Sequence, residues 1–153
     1  MSKICLMVGS VYGGADHVAE QLQPLMQQAG FAVERVEQLT DSGLRQLDGS
    51  NLLVITSTTG SGDLPDNIAP LYYQLQQQFP LLPQSRYGVI ALGDSSYGDT
   101  YCGAGHQFDQ LLQELGAQRI GSVLQIDACE TMEPEQPAQQ WLAPWLAELA
   151  SAQ

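Results

Sequence analysis

The chain has 153 residues, with five Lys and Arg against seventeen Asp and Glu, a formal net charge of -12. A phosphate backbone repels such a polyanion, so nucleic acid is excluded as the expected partner. No apolar run approaches the ~20 residues of a membrane span, and the length suits a single domain over residues 1–153 with one core.

Residues 3–8 read as a short buried strand, followed by a first loop, Gly9-Ser10-Val11-Tyr12-Gly13-Gly14. Residues 16–29 place Val18, Leu22, Leu25, Met26 and Ala29 on one helical stripe that Gly30 can stop. Pro24 removes a donor inside that pattern and predicts a kink. Residues 31–36 alternate enough for an edge strand. Residues 40–49, polar around Leu44 and Leu47, suggest a short helix. Residues 51–57 are almost continuously apolar, as a central parallel strand should be. They lead into a second loop, Ser57-Thr58-Thr59-Gly60-Ser61-Gly62-Asp63, which closes at Leu64-Pro65. Asp66 is the expected cap of a helix running to Phe79, with Ile68, Leu71, Leu75 and Phe79 facing inward. Pro70 falls early enough in it to be tolerated.

Residues 80–83 make a turn and 86–92 a second central strand. That strand ends in a third loop, Leu92-Gly93-Asp94-Ser95-Ser96-Tyr97, which continues to Cys102. A helical pattern starts near Ala104 and is clearest over residues 107–115, where Phe108, Leu111, Leu112 and Leu115 share a face before Gly116. Residues 119–126 predict the last strand, with Gly121 its weak point. The final helix is expected to begin around Pro137, a favourable early position. Trp141, Leu142, Trp145, Leu146 and Leu149 would face the core, and Pro144 predicts another kink. Strand and helix alternate five times. That order predicts an α/β fold, a parallel sheet with helices on both faces and right-handed crossovers.

Cys5, Cys102 and Cys129 are odd in number, widely spaced and without a C-x-x-C pair, which argues against a disulfide framework or a zinc site. With two His at no ligand spacing, no metal is expected. Residues 4–8 are too short an apolar run for a secretory leader, so the expected location is the cytoplasm. The acidic surface suits solubility or steering toward a basic partner.

All three loops follow strands, and in an open parallel sheet ligands bind at the carboxyl ends of strands. The first loop opens a helix, whose N-terminal N–H groups attract anions, and Gly13 and Gly14 allow a close wrap. It has neither a G-x-x-x-x-G-K-[ST] nor a G-x-G-x-x-G pattern, so a nucleoside triphosphate or a dinucleotide is not favoured. A single phosphate monoester bound without Lys or Arg remains. Thr58, Thr59, Gly60 and Gly62 offer hydroxyls and peptide groups beside Asp63, and Tyr97 and Tyr101 offer flat faces. A phosphate site beside a polar slot with an aromatic wall suits a planar ring on a phosphorylated chain, as in flavin mononucleotide (FMN).

The chain resembles the flavodoxin family over essentially its whole length, most closely its short-chain bacterial members of the MioC and YqcA type. The resemblance rests on residues 57–66, STTGSGDLPD, residues 87–97, YGVIALGDSSY, and residues 107–119, QFDQLLQELGAQR. The last two also look like the flavin domains of diflavin reductases. The resemblance implies a flavodoxin-like three-layer sandwich, a five-stranded parallel sheet of order 2-1-3-4-5, with FMN as cofactor. By position, Ser10, Val11, Tyr12, Gly13, Gly14 and Ala15 would hold the phosphate. Thr58, Thr59, Gly60 and Gly62 would approach one side of the flavin. Leu92, Gly93, Asp94, Tyr97, Tyr101 and Cys102 would line the ring and ribityl chain, with Tyr97 stacking. Asp127 stands where the family sometimes adds a contact. The sequence departs from the family pattern at Tyr12, usually Thr, at Ala15, often a hydroxyl residue, and at Thr59, often a second stacking aromatic. The third loop is also one residue longer than in its close relatives.

The function implied is a monomeric electron carrier working between a basic-faced flavodoxin reductase and redox acceptor enzymes, with Asp63, Asp66, Asp94 and Asp99 around the ring. The alternative is an FMN-dependent NAD(P)H quinone or nitro-compound reductase, which the scarcity of positive charge at the site disfavours. A receiver-type signalling domain of similar topology would need acidic residues where Gly9-Ser10 and Ser57-Thr58 stand.

Overall fold

The computed structural model describes residues 2–59 and 62–151; residues 60 and 61, and the side chains of residues 97, 99 and 100, lie outside that description. The strands are β1 (Lys3–Gly9), β2 (Ala32–Arg35), β3 (Asn51–Thr56), β4 (Arg86–Gly93), β5 (Gln118–Arg119) and β6 (Leu124–Asp127). The helices are α1 (Gly14–Gln28), α2 (Asp41–Gln46), α3 (Ala69–Gln78), α4 (Gly103–Glu114) and α5 (Glu135–Ser151), and a 3-10 helix spans Ser95–Thr100. The strands pair in parallel in the order β2-β1-β3-β4-β5, and β6 also pairs with β4. This is the predicted 2-1-3-4-5 sheet, its fifth strand in two pieces.

The period-2 alternation of strands builds two cores from the same segments. Cys5 and Met7, Leu52 and Val54, and Tyr87, Val89 and Ala91 face α3 and α4, meeting Leu71, Leu75, Phe108, Leu111 and Leu112. Ile4, Leu6 and Val8, Leu53 and Ile55, and Ile90 face the other way, onto Val18, Leu22 and Met26 of α1 and Leu142, Trp145 and Leu149 of α5. Both faces of β1, β3 and β4 are covered, which explains their unbroken apolar runs.

Two elements, the last strand and α3, differ from expectation. The last strand breaks between Arg119 and Leu124, because Gly121 takes φ 75° and carries the chain out of strand geometry. Asp66 does not cap α3. The N–H groups of Ile68 and Ala69 both bond to the Pro65 carbonyl, so a turn precedes the helix, which starts at Ala69 with Pro70 in its first positions. Phe79 is 45% exposed rather than inward, since it ends α3 at φ 47°. Pro24 and Pro144, where kinks are expected, lie inside α1 and α5. Among the described residues, no helix is long and apolar enough to cross a membrane.

Candidate functional site

Register brings the strand ends level. Gly9 of β1 lies beside Thr56 of β3, Thr56 beside Ala91 of β4, and Gly93 beside Asp127 of β6. The segments that follow these strands therefore emerge along one edge. They enclose a cavity of about 450 Å³, within the ~300–1,000 Å³ range of small-molecule sites. Val11, Tyr12 and Gly14 line it from the first loop, Ser57, Thr58 and Thr59 from the second, Leu92, Gly93 and Asp94 from the third, and Ala128 from the segment after β6. A depression of about 470 Å³ between α2 and the end of α3, lined by Asp41, Leu44, Arg45, Asp48, Gln78, Pro80 and Leu81, is far from these strand ends. The strand-end cavity is the candidate because loop ends and a helix N-terminus converge on it.

The first loop is shaped by its own hydrogen bonds. Gly13 stands at φ 88° and its N–H donates to the Ser10 hydroxyl oxygen at 2.7 Å. The Gly13 carbonyl then accepts from the His17 N–H at 2.9 Å, the first bond of α1. Among the described residues no side chain caps this helix, so its first-turn amides keep their donors for a ligand. Asp16 would place a negative charge in that turn, but its carboxylate is ion-paired with Arg35. What remains is a neutral, donor-rich anion site.

The second and third loops are pinned on the other side. The Thr59 hydroxyl accepts from the Asp63 N–H at 3.1 Å and the Thr59 carbonyl accepts from the Gly62 N–H at 2.9 Å. The Thr58 hydroxyl accepts from the Ala104 N–H at 3.3 Å, tying this loop to the start of α4. The Asp94 carboxylate accepts from the Ser96 N–H and hydroxyl, at 2.9 and 2.6 Å, and from the Cys129 thiol at 3.0 Å. The bonds from Cys129 and Ser96 hold its carboxyl below the usual carboxylate range.

Val11, Tyr12, Gly14, Thr58, Thr59, Leu92, Gly93 and Asp94 of the expected residues meet around the cavity. Ser10 and Gly13 shape its first loop. The Ala15 side chain faces the core, fully buried, so only its main chain can serve a phosphate. Gly62 is buried and its carbonyl accepts from the Gln107 side chain at 3.0 Å. Cys102 does not line the cavity. It is fully buried, and its thiol lies 3.4 Å from the Ala91 carbonyl within the core that β4 shares with α4. Tyr101 packs against the same core, and burial raises its phenol above the usual range. Asp127 is also outside the lining; it bonds to main-chain N–H groups of Ser95 and Cys129. Gly60 and the Tyr97 side chain lie outside the described residues. The sequence reading had missed Ser57, Ala128 and Asn67. The first two follow from parallel register, one residue past each strand. Asn67, which holds the Ser10 N–H at 2.9 Å, has no periodic signal.

The flavodoxin family model matches residues 6–141. Flavodoxin YqcA of Pectobacterium carotovorum subsp. carotovorum is 46% identical over 153 residues, covering 100% of both chains. Protein MioC of Escherichia coli (strain K12) is 42% identical over 147 residues, covering 95% of this chain and 97% of its own. The solved structure of a cysteine-to-serine mutant of flavodoxin from Pseudomonas aeruginosa has a TM-score of 0.86 at 43% identity, covering 95% of this chain and 97% of that one.

Proposed function

The chain belongs to the flavodoxin family of FMN-binding electron carriers, and we propose that it shuttles electrons between a basic-faced reductase and acceptor enzymes, as a cytoplasmic monomer. The observation that carries this is the cavity at the strand ends, lined by main-chain groups, hydroxyls and Asp94 and flanked by the N-terminus of α1.

The residues present fit FMN. The donors of the first loop and of α1 are amides and hydroxyls, which suit a phosphate monoester. The cavity beside them has the volume of a small-molecule site. When bound, FMN supplies the one- and two-electron redox chemistry that the chain's own side chains lack. In this reading Ser10 to Ala15 hold the phosphate through the loop and first helical turn. Ser57, Thr58, Thr59, Leu92, Gly93 and Ala128 form the walls of the ring slot. Asp94 and Asp127 keep the segments around it in place through bonds to N–H groups. The net charge of -12 supports docking on a basic partner. Among the described residues the cavity lining contains no Lys or Arg to receive a nicotinamide dinucleotide, which favours a carrier over an NAD(P)H-dependent reductase.

The test uses apo-protein titrated with FMN and with riboflavin, then the FMN-loaded protein mixed with NADPH, with and without a purified flavodoxin reductase. FMN should bind far more tightly than riboflavin, and reduction should require the reductase. Rapid reduction by NADPH alone would establish the reductase activity instead.

A further inference from the structure

We propose that Asn67 is a positioning residue for the phosphate of FMN, acting through Ser10. The proposal rests on the first loop holding that phosphate. Asn67 lies in the turn before α3, well away from the first loop in sequence, yet its Oδ1 accepts from the Ser10 N–H at 2.9 Å. Packing brings the two together. A Cβ at residue 9 would lie 2.4 Å from Ile68 Cγ2 and 2.7 Å from Thr56 Oγ1, so glycine there lets Ile68, 1% exposed, sit against the end of β1. Asn67 is the neighbour of Ile68 and is delivered to the first residue of the loop.

The bond continues into the anion site. Ser10 uses its N–H on Asn67 and its hydroxyl oxygen on the Gly13 N–H at 2.7 Å. The Gly13 carbonyl takes the first helical bond, from the His17 N–H at 2.9 Å. Asn67, Ser10, Gly13 and the first turn of α1 thus form one hydrogen-bonded series. With Tyr12 97% exposed and the Gly13 Cα facing open space, little packing holds this loop from outside. Its shape depends on the series, and the acceptor at the head of the series is the Asn67 carboxamide. Losing that acceptor frees the Ser10 peptide to rotate and moves the hydroxyl that holds Gly13. A ligand that ends in phosphate senses the change. A ligand that fills only the ring slot does not.

The experiment compares wild-type and Asn67→Ala apo-protein in titrations with FMN and riboflavin, together with hydrogen exchange at the Ser10 amide. Asn67→Ala is expected to raise the dissociation constant for FMN about tenfold, the equivalent of ~1.4 kcal/mol and the scale of one hydrogen bond. Riboflavin affinity should stay within about twofold. The Ser10 amide should lose protection in Asn67→Ala and keep it in Asn67→Asp, which retains the acceptor oxygen. Unchanged FMN affinity in Asn67→Ala, or an equal loss for both ligands, overturns the proposal while leaving the phosphate-loop reading standing. A wild-type protein that binds riboflavin as well as FMN overturns both.

Discussion

The carboxylate of Asp127 accepts from the main-chain N–H of Ser95 at 3.1 Å, so the last residue of β6 fixes the loop that follows β4. The same oxygen accepts from the Cys129 N–H at 2.9 Å. These bonds, those from Ser95 foremost, hold the carboxyl below the usual carboxylate range. A depressed folded pKa gives stability that is full above about pH 4 and lost as pH falls through the folded value. Asp127→Ala should therefore lower the melting temperature and weaken flavin binding near neutral pH, with Asp127→Asn intermediate. Melts in a series of acid buffers should show wild type and Asp127→Ala converging below about pH 4. A gap of constant size would show that the carboxylate charge is not what matters.

The cysteines differ in access. Cys5 and Cys102 are buried and Cys129 is exposed, all three free. Burial pushes the Cys102 thiol up to about 11 and also raises Cys5, whereas Cys129 is raised mainly by its hydrogen bond to Asp94. Since the thiolate is the reactive form, a thiol reagent at neutral pH should modify Cys129 alone, and slowly. Unfolding in denaturant should expose all three. Asp94→Asn should speed the Cys129 reaction by removing the charge that opposes ionisation. Prompt native-state modification of Cys102 would contradict its placement in the core.

The sheet was legible because β1, β3 and β4 are buried on both faces and must be apolar throughout. The site was legible as loops, since each follows such a strand. What single side chains do within those loops was not. Ala15 and Cys102 occupy positions next to the cavity, but their side chains turn into the cores on either side of β4. Helical or strand periodicity does not describe a loop residue's direction. Phe79 fitted the inward stripe of α3 until the helix ended in a left-handed residue there. Asn67 reads as one polar residue in a turn, and only the packing of Ile68 on Gly9 reveals its contact with Ser10.

Electron delivery should depend steeply on salt. At a net charge of -12, attraction to a basic partner contributes to the encounter rate, and salt screens it over a Debye length of ~8–10 Å at physiological strength. Stopped-flow transfer from a flavodoxin reductase should slow as sodium chloride rises, while FMN stays bound. A rate insensitive to salt would place the docking contacts on an apolar rather than an acidic surface.

Gly13 tests the first loop most directly. Its φ is 88° and ψ 0°, and a Cβ there would meet no atom of the described residues within 4 Å. Substitution is therefore opposed by backbone strain rather than by a clash. Left-handed geometry costs a residue with a Cβ ~1–2 kcal/mol, and a β-branched side chain suffers most. If the loop keeps its shape, that cost lowers the stability of the apo-protein. If the loop relaxes, the Gly13 N–H leaves the Ser10 hydroxyl, the first-turn amides lose their aim, and the cost moves into FMN binding. Gly13→Val is thus expected to weaken FMN binding by ~1–3 kcal/mol, unpaired polar groups adding to the strain. Gly13→Asn should retain more affinity, because Asn enters the left-handed region more easily. Calorimetric titration of each folded variant, with its apo melting temperature, separates the two routes. A Gly13→Val protein with normal FMN affinity and normal stability would remove this loop from the binding site.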